Sequence, residues 1–139
     1  MKILILCTGN SCRSQMAEAI LQSFDDMIEV YSAGTEPASQ VNPLTVEVMK
    51  DWNMDLSTYH PKNANQFINK SFDYVITVCD HANDTCPVFE GDVKNRLHIG
   101  FEDPAMVQGS KSHKLKEYRR IRDEILVDFY GFYRTEIKK

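Results

Sequence analysis

A reactive loop between a buried strand and a helix, close to the start of the chain, constrains the fold more than any other feature. The strand is predicted from the apolar run Ile3-Leu4-Ile5-Leu6, and the helix from residues 15–21. Between them stands the sequence Cys7-Thr8-Gly9-Asn10-Ser11-Cys12-Arg13-Ser14. Ligands of open α/β sheets bind just beyond the carboxyl ends of the strands. A thiol and an arginine therefore meet where such a fold builds its binding site.

The backbone of this loop is suited to holding a negatively charged group. A loop that leads into a helix N-terminus points successive N–H groups at one position, and the helix dipole adds positive potential there. Arg13 supplies two parallel donors for two oxygens of a tetrahedral anion. We therefore predict an oxyanion-binding loop, called the oxyanion loop below, that comprises Thr8, Gly9, Asn10, Ser11, Cys12, Arg13 and Ser14.

The same positive field acts on the thiol that precedes the loop. Helix N-termini and nearby cations lower the pKa of cysteine and so favour the thiolate, which is the nucleophilic form. Cys7 is predicted to be a nucleophile of low pKa beneath the bound anion. The alternative is a small, buried and unreactive cysteine at a strand end. The spacing of Gly9, Arg13 and Ser14 after Cys7 argues against that alternative.

Composition and charge narrow the class of protein further. The 139 residues, 42% apolar and 26% charged, are ordinary for one globular domain, predicted here over residues 1–139. A net charge of −4 and a pI of about 5.5 argue against a nucleic-acid partner. We expect no signal peptide and no membrane-spanning segment, and hence a cytoplasmic protein. Four cysteines are too few for a disulfide scaffold and favour catalytic or redox roles in a reducing cytosol.

Apolar periodicity along the chain predicts strands that alternate with helices. The strands are expected at residues 3–6, 28–33, 74–78 and 96–99. The helices are expected at residues 14–24, from 43 onward, at 65–69 and at 115–132. This alternation predicts βαβ units and a mainly parallel sheet. The reactive loop, a second cysteine and an acidic residue then meet at the carboxyl edge of one sheet.

The second cysteine is Cys79, which follows the third predicted strand and precedes Cys86 by a short polar segment. Cys79 can approach Cys7 if its loop folds over, and Cys86 lies within loop reach of Cys79. This arrangement suits thiol–disulfide exchange, in which a thiolate attacks a sulfur and the disulfide moves on. Two alternatives stay open: a pair of unreactive loop cysteines, and a zinc site that uses Cys79, His81 and Cys86.

The acidic residue is Asp103, which precedes Pro104 in the loop after the fourth predicted strand. An Asp-Pro pair alone marks a turn. Beside Cys7 and Arg13, however, a carboxyl group is placed to act as a general acid, because a departing hydroxide or alkoxide needs a proton. We therefore predict a catalytic role for Asp103.

Taken together, these residues resemble the low-molecular-weight protein tyrosine phosphatases and the thioredoxin-coupled arsenate reductases that share their fold. The oxyanion loop is similar to that of both groups. The arsenate reductase branch is further resembled by the Cys79/Cys86 pair followed by Pro87, and by Gln15-Met16-Ala17-Glu18, Tyr31-Ser32-Ala33-Gly34, Gly100-Phe101-Glu102-Asp103-Pro104-Ala105 and Arg122-Asp123-Glu124-Ile125. The resemblance extends over nearly the whole chain.

The resemblance implies an α/β fold of the flavodoxin-like kind, a three-layer sandwich around a four-stranded parallel sheet. It implies that the chain reduces arsenate to arsenite for arsenic detoxification. Cys7 attacks arsenate held by the loop and Arg13, and Asp103 protonates the departing oxygen. Cys79 then attacks Cys7 and releases arsenite, and Cys86 carries the disulfide to the surface, where thioredoxin reduces it. No bound cofactor or metal is implied, and the chain is expected to act as a monomer.

Two alternatives to arsenate reduction follow from the same loop. A phosphotyrosine phosphatase would use water in place of a relay, so Cys79 and Cys86 would be idle. Phosphatases of this fold usually carry a tyrosine after Asp-Pro, whereas this chain has Ala105. A weak phosphatase side activity is consistent with the sequence. A non-enzymatic oxyanion sensor, which binds arsenate or phosphate without turnover, is the second alternative.

The chain departs from the family pattern at two positions. Many relatives carry tryptophan before the Gly-Phe of the acid loop, where this chain has Ile99. Potassium-binding relatives carry an acidic residue where an ungapped comparison places Lys62. The other positions that hold the cation match Asn10, Glu18 and Ser32. The resemblance therefore suggests that the Lys62 ammonium takes the place of potassium and pairs with Glu18; a solvated surface lysine is the alternative.

Overall fold

The computed structural model describes residues 1–138, which form a four-stranded parallel sheet with flanking helices. The strands are β1 (Lys2–Cys7), β2 (Glu29–Gly34), β3 (Phe72–Thr77) and β4 (Val93–His98). The helices are α1 (Arg13–Ser23), α2 (Pro43–Met49), α3 (Asp80–Asp84) and α4 (Lys111–Phe132). The predicted α/β architecture around a parallel sheet is confirmed.

The strand order is β2-β1-β3-β4, which places β1 in the interior of the sheet. β1 pairs in parallel with β2, with Cys7 opposite Gly34, and with β3, with Leu6 opposite Thr77. The connections after β1 and β3 lead in opposite directions along the sheet. A crevice opens at the carboxyl ends of two such strands, and ligands of these folds bind there. Cys7 and Cys79 both lie at this crevice.

The helices bury the apolar faces that hold this edge of the sheet in position. α1 packs against β1, β2 and α4, while α2 packs against α4 and α3 packs against β1 and β3. The buried side chains of α4 recur every three or four residues, which is the spacing of one helical face. Fully buried side chains of this core include Ile3, Leu4, Ile5, Leu6, Met16, Ile20, Leu21, Tyr118 and Phe129.

The observed elements differ from the prediction at several boundaries. α3 was not predicted, and residues 65–69 contain only a 3₁₀ turn, Ala64–Gln66. α2 ends at Met49 and continues as a 3₁₀ turn, Lys50–Trp52. β4 begins three residues earlier than expected, and α4 begins four residues earlier, where Ser110 caps its N-terminus. Among residues 1–138, no helix is both long enough and apolar enough to span a membrane.

Candidate active site

The segment that follows β2 fixes the backbone conformation of the oxyanion loop. Four carbonyl groups of the loop region, those of Cys7, Thr8, Gly9 and Ser11, accept hydrogen bonds from N–H groups of residues 35, 36, 38 and 42 at 2.9 to 3.1 Å. Across a planar trans peptide, the carbonyl of one residue and the N–H of the next point in opposite directions. The N–H groups of residues 8, 9, 10 and 12 therefore point away from that segment, toward the cavity that the loop lines.

Asn10 fixes the shape of the loop from inside the protein. It is fully buried and has a φ of 52°, a left-handed conformation that asparagine tolerates better than most residues. Its side-chain nitrogen donates to the hydroxyls of Ser14 at 2.7 Å and Ser32 at 3.0 Å. Its side-chain oxygen accepts from Gln15 at 3.1 Å and from the Lys62 backbone at 2.9 Å. The loop is thus tied to α1, to β2 and to the segment around Lys62.

Gly34, at the end of β2, lets the oxyanion loop approach the sheet closely. A Cβ atom at this position would lie 2.4 Å from the carbonyl oxygen of Thr8, far inside van der Waals contact. The N–H of Gly34 also donates to the carbonyl of Lys62 at 2.7 Å. Any side chain here would displace the loop that it supports.

The resulting cavity has the size of a small anion. It encloses about 200 Å³ and is lined by residues 7–13 of the oxyanion loop together with Asp103 and Ala105. It adjoins a wider mouth of about 600 Å³. Acidic side chains line that mouth, and among them Glu36, Asp80 and Glu102 are strongly exposed. The inner cavity is therefore cationic at Arg13, while its entrance is acidic.

Arg13 and Asp103 face each other at the edge of the cavity. An Arg13 nitrogen lies 3.5 Å from the Asp103 carboxylate, and another donates to the carbonyl of Phe101 at 3.1 Å. The second Asp103 oxygen accepts from the N–H of Ala105 at 3.0 Å and caps the 3₁₀ turn Pro104–Met106. Asp103 thus lines both the anion cavity and its mouth, the position that a proton donor to a departing oxygen needs.

Cys7 and Cys79 form a buried pair beneath this cavity. Both residues are buried, and the two thiols are close enough that each shifts the pKa of the other. The Thr8 hydroxyl lies 3.3 Å from the Cys79 sulfur. Cys79 precedes the first turn of α3, where the backbone N–H of Ala82 also reaches its sulfur. Cys79 therefore lies beside Cys7 without the closure of a loop that the sequence led us to expect.

The interaction between these thiols favours ionisation of Cys79. The neighbouring Cys7 lowers the pKa of Cys79 to about 5, and Thr8, the Ala82 N–H and the charge of Arg13 act in the same direction. Cys79, together with burial, raises the pKa of Cys7, although Arg13 and the Thr8 N–H oppose this. The pair thus carries one negative charge at neutral pH. The sequence analysis predicted a low pKa for Cys7, whereas in the unliganded protein the interaction between the two thiols raises the pKa of Cys7 and favours the Cys79 thiolate.

The two remaining cysteines differ in exposure. All four cysteines are free thiols. Cys12 is buried in the oxyanion loop, and burial raises its pKa to about 12, so this thiol stays protonated. Cys86 follows α3 and is half-buried; burial raises its pKa, while Arg96 lowers it. Cys86 is therefore the most accessible of the four thiols.

Comparison with known proteins assigns the chain to a family. The model of the low molecular weight phosphotyrosine protein phosphatases matches residues 2–139. The chain belongs to this family. An arsenate reductase from Halalkalibacterium halodurans, a curated relative, is 45% identical over 124 residues, which cover 88% of this chain and 88% of the relative. The family resemblance drawn from the sequence is thereby confirmed.

Two solved structures of the same fold extend this comparison. An arsenate reductase in the phosphate binding state is 25% identical, with a TM-score of 0.74 over 94% of this chain and 95% of the other. A thioredoxin-dependent arsenate reductase from Corynebacterium glutamicum is 26% identical, with a TM-score of 0.59 over 93% of this chain and 61% of the other. Both are described as arsenate reductases, and both share the fold of this chain.

Lys62 lies beside Glu18, which is the pairing that the family resemblance suggested. Its ammonium is 3.9 Å from the Glu18 carboxylate and donates to the carbonyl of His60 at 3.2 Å. Glu18 in turn accepts from Ser32 at 2.6 Å. Burial lowers the pKa of Lys62 and raises that of Glu18, and the attraction between the two charges opposes both shifts. A cationic group is thus linked through Ser32 to Asn10 and the oxyanion loop.

The zinc alternative gains no support from this arrangement. In the part of the chain that the structure describes, no three histidine, cysteine or acidic side chains are grouped as metal ligands. His81 instead lies 3.9 Å from Glu36, on the exposed surface.

Sequence reasoning assigned no role in the site to two residues that build it, Gln15 and Asn42. Gln15 is fully buried and donates to the Asn10 carbonyl at 2.9 Å and to the His60 carbonyl at 3.2 Å. Asn42 binds the Ser11 carbonyl through its N–H and the Tyr118 hydroxyl through its side chain at 3.0 Å. The signal for Gln15 was its position in the first turn of α1, directly after the oxyanion loop. No local signal indicated the bond between Asn42 and Tyr118.

Proposed function

We propose that this chain reduces arsenate to arsenite and uses Cys7, Cys79 and Cys86 in sequence. The observation that carries the proposal is the pair of buried thiols, Cys7 and Cys79, beneath an oxyanion-sized cavity. A phosphatase needs one thiol at this position, whereas reduction needs a second sulfur to accept the bond. The curated relative from Halalkalibacterium halodurans, an arsenate reductase, supports the same assignment.

In the first step, arsenate binds to the N–H groups of the loop and to Arg13. The single negative charge of the thiol pair moves to Cys7 as the shared proton passes to Cys79. Cys7 attacks arsenic, and Asp103 supplies the proton with which an arsenate oxygen departs as water. The product is a covalent adduct between the Cys7 sulfur and pentavalent arsenic.

In the second step, Cys79 loses to solvent the proton that it took from Cys7, and the resulting thiolate attacks the Cys7 sulfur. The bond between sulfur and arsenic breaks, and its electron pair stays on arsenic, which leaves as arsenite. The two cysteines are oxidised to a Cys7–Cys79 disulfide, so two electrons pass from sulfur to arsenic. The Thr8 hydroxyl, 3.3 Å from the Cys79 sulfur, and the charge of Arg13 favour the thiolate form of Cys79 in this step.

In the third step, Cys86 attacks Cys79, which frees the Cys7 thiolate and forms a Cys79–Cys86 disulfide. Cys86 is the more accessible sulfur of this disulfide, so an external dithiol reaches it first. Thioredoxin is the proposed reductant, in line with the thioredoxin-dependent relative from Corynebacterium glutamicum. The chain works in this scheme as a single cytoplasmic domain and a monomer, with no bound cofactor.

The decisive experiment compares two reactions of one preparation. Arsenate-dependent NADPH oxidation is measured in the presence of thioredoxin and thioredoxin reductase, and hydrolysis of an aryl phosphate is measured in parallel. We expect fast arsenate turnover and at most slow hydrolysis. Hydrolysis faster than arsenate turnover would favour the phosphatase. Binding of arsenate without loss of titratable thiols would favour the oxyanion sensor.

A weak phosphatase activity is the second candidate, because the cavity accepts any tetrahedral oxyanion. Ala105 lines the cavity after Asp103 and Pro104, where phosphatases of this fold carry an aromatic ring. The small side chain leaves an aryl leaving group without a flanking partner. We therefore expect a high KM for aryl phosphates, and Ala105→Tyr should lower it.

A further inference from the structure

A cavity beside Cys86, separate from the oxyanion site, contains an arginine to which the chemistry above gives no role. It encloses about 360 Å³ and is lined by Val75, Thr77, Asn83, Cys86, Arg96, Leu97 and His98. β3 and β4 form its floor, and the segment that carries Cys79 and Cys86 forms its wall. Cys86 thus faces a partly enclosed space, although it is the most accessible cysteine.

This position is unfavourable for the form of Cys86 that the relay needs. The attack on Cys79 requires a thiolate, and burial of the sulfur raises the pKa of Cys86. The charged and titratable groups that line the cavity are Arg96 and His98, both on β4. The lining residues from β3 and α3, which are Val75, Thr77 and Asn83, carry no charge.

Both ring nitrogens of His98 have partners other than Cys86. One ring nitrogen bonds with the Thr77 hydroxyl at 2.8 Å, and the other lies 3.0 Å from the Asp80 carboxylate. The imidazole therefore joins β3, β4 and α3 and is not directed at the sulfur.

Arg96, in contrast, is directed at Cys86. Both residues line the same cavity, and the positive charge of Arg96 lowers the pKa of Cys86. The guanidinium lies 5.6 Å from the centre of the Phe89 ring, which supports it by a cation–π contact. Within residues 1–138, Arg96 forms no ion pair with a carboxylate, whereas its strand neighbours Lys94 and His98 pair with Asp73 and Asp80. The positive charge therefore serves the sulfur.

We propose that Arg96 is a positioning residue for the relay, which holds the Cys86 sulfur against β4 and stabilises its thiolate before it attacks Cys79. The role rests on the proposed function, since it acts on the third step. In that step the bond between Cys86 and Cys79 forms and the bond between Cys7 and Cys79 breaks. The proton of Cys86 goes to solvent, and the negative charge moves from the side of Arg96 to Cys7, beside Arg13.

Stabilising a thiolate has two opposite effects on its rate of attack. Lowering the pKa by one unit raises the thiolate fraction about tenfold below the pKa, whereas the reactivity of that thiolate falls roughly threefold. At neutral pH, loss of Arg96 should therefore slow the third step roughly threefold for each unit by which the pKa of Cys86 rises. Above the pKa of Cys86, where every molecule is ionised, the same loss should accelerate it. A merely structural role for Arg96 would not make the two pH profiles cross.

The first test isolates Cys86 from the reaction. In a background with Cys7→Ser, Cys12→Ser and Cys79→Ser, Cys86 is the remaining thiol, and its pKa is read from the rate of iodoacetamide alkylation against pH. We expect Arg96→Gln to raise this pKa and Arg96→Lys to raise it less. Lys94→Gln, a matched control on the same strand, should leave it unchanged, because Lys94 pairs with Asp73 at 3.3 Å.

Equal pKa values for Cys86 with and without Arg96→Gln would overturn the proposal. If Arg96→Gln fails to fold by circular dichroism, the Arg96→Lys variant decides: its flexible ammonium lacks the planar guanidinium that packs on Phe89, so an unchanged pKa would be equally contradictory. Neither measurement uses arsenate. The assignment of Arg96 therefore succeeds or fails independently of the proposed reaction.

The second test follows one turnover in the otherwise unmodified chain. The reduced protein is mixed with arsenate, quenched with acid and mapped for its disulfides. We expect arsenite release to be the same with and without Arg96→Gln, while the Cys79–Cys86 disulfide forms more slowly at pH 7 and faster at high pH in the variant. A uniform slowing at every pH, or a slower release of arsenite, would refute the assignment to the third step.

Discussion

The Arg13 guanidinium lies 3.5 Å from the Asp103 carboxylate, at the edge where the oxyanion cavity meets its mouth. One side chain therefore serves both the loop that binds the anion and the loop that carries the acid. An oxyanion bound to Arg13 is brought directly beside Asp103. The anion-binding Arg13 and the acidic Asp103 lie close together because β1 and β4, which their loops follow, both end at this edge of the sheet.

Removal of the Asp103 carboxyl group should slow the reaction without weakening anion binding. For Asp103→Ala we expect a loss of roughly 10²–10⁴ in kcat, the usual contribution of a general acid. Asp103→Asn is the matched variant, because its side-chain oxygen can still accept from the Ala105 N–H. Both should bind phosphate as the unmodified protein does, measured by the rise in melting temperature. A near-normal kcat in Asp103→Asn would assign the proton to another group.

Cys7 should be indispensable for chemistry and dispensable for binding. Cys7→Ser replaces the sulfur by a hydroxyl of far higher pKa, which cannot form the covalent adduct at neutral pH. We expect no arsenite release, measured with thioredoxin and its reductase, and retained binding of phosphate by the loop N–H groups. Turnover in this variant would contradict the whole reaction sequence.

The relay predicts different end points for the other two redox thiols. Cys86→Ser should complete one turnover and stop as a Cys7–Cys79 disulfide, because no sulfur remains to resolve it. Cys79→Ser should release no arsenite catalytically. Peptide mapping after addition of one equivalent of arsenate distinguishes the two. The absence of a Cys79 bridge from the oxidised forms of both the unmodified protein and Cys86→Ser would eliminate the relay.

The low pKa of Cys79 should depend on the Thr8 hydroxyl. Because the pKa of Cys79 is lowered to about 5, its thiolate forms as the pH rises through that value and is protonated again below it. One hydrogen bond contributes about 0.5–1.5 kcal/mol, so Thr8→Val should raise this pKa by up to about one unit. Thr8→Ser, which keeps a hydroxyl, should change it little. Alkylation against pH measures both, and identical midpoints for valine and threonine would contradict the assignment.

The Lys62 ammonium should make the loop independent of potassium. Because a positive charge already lies 3.9 Å from Glu18, we expect equal melting temperatures and arsenate kinetics in potassium and sodium salts at equal ionic strength. Lys62→Asp should create a dependence on potassium. Lys116→Asp, at an exposed position on α4, controls for the change in net charge. Specific stabilisation of the unmodified protein by potassium would disprove the idea of a tethered cation.

The parts of the molecule that sequence reasoning identified are those encoded locally. β1, the oxyanion loop and α1 are contiguous, and their periodicity and spacing are visible within some twenty residues. The parallel sheet followed because strands and helices alternate along the chain. The placement of Cys7, Arg13 and Asp103 at one edge followed from that topology.

Features that depend on distant partners could not be read in the same way. α3 has five residues, too few to form a stable helix without its packing against β1 and β3. The division of charge between Cys7 and Cys79 depends on a contact across 72 positions of sequence and on Thr8, which approaches Cys79 only in the folded chain. The same holds for the bond between Asn42 and Tyr118.

The buried side chain of Asn10 has a consequence for how affinity and thermal stability are related. Its four hydrogen bonds shape the loop without any ligand, so the entropy cost of ordering the loop is met when the chain folds and not when the anion arrives. The same four hydrogen bonds therefore contribute to the affinity for the anion and to the thermal stability of the protein. Selection for either property would preserve the other. A homologue that loosened this network would bind its substrate more weakly.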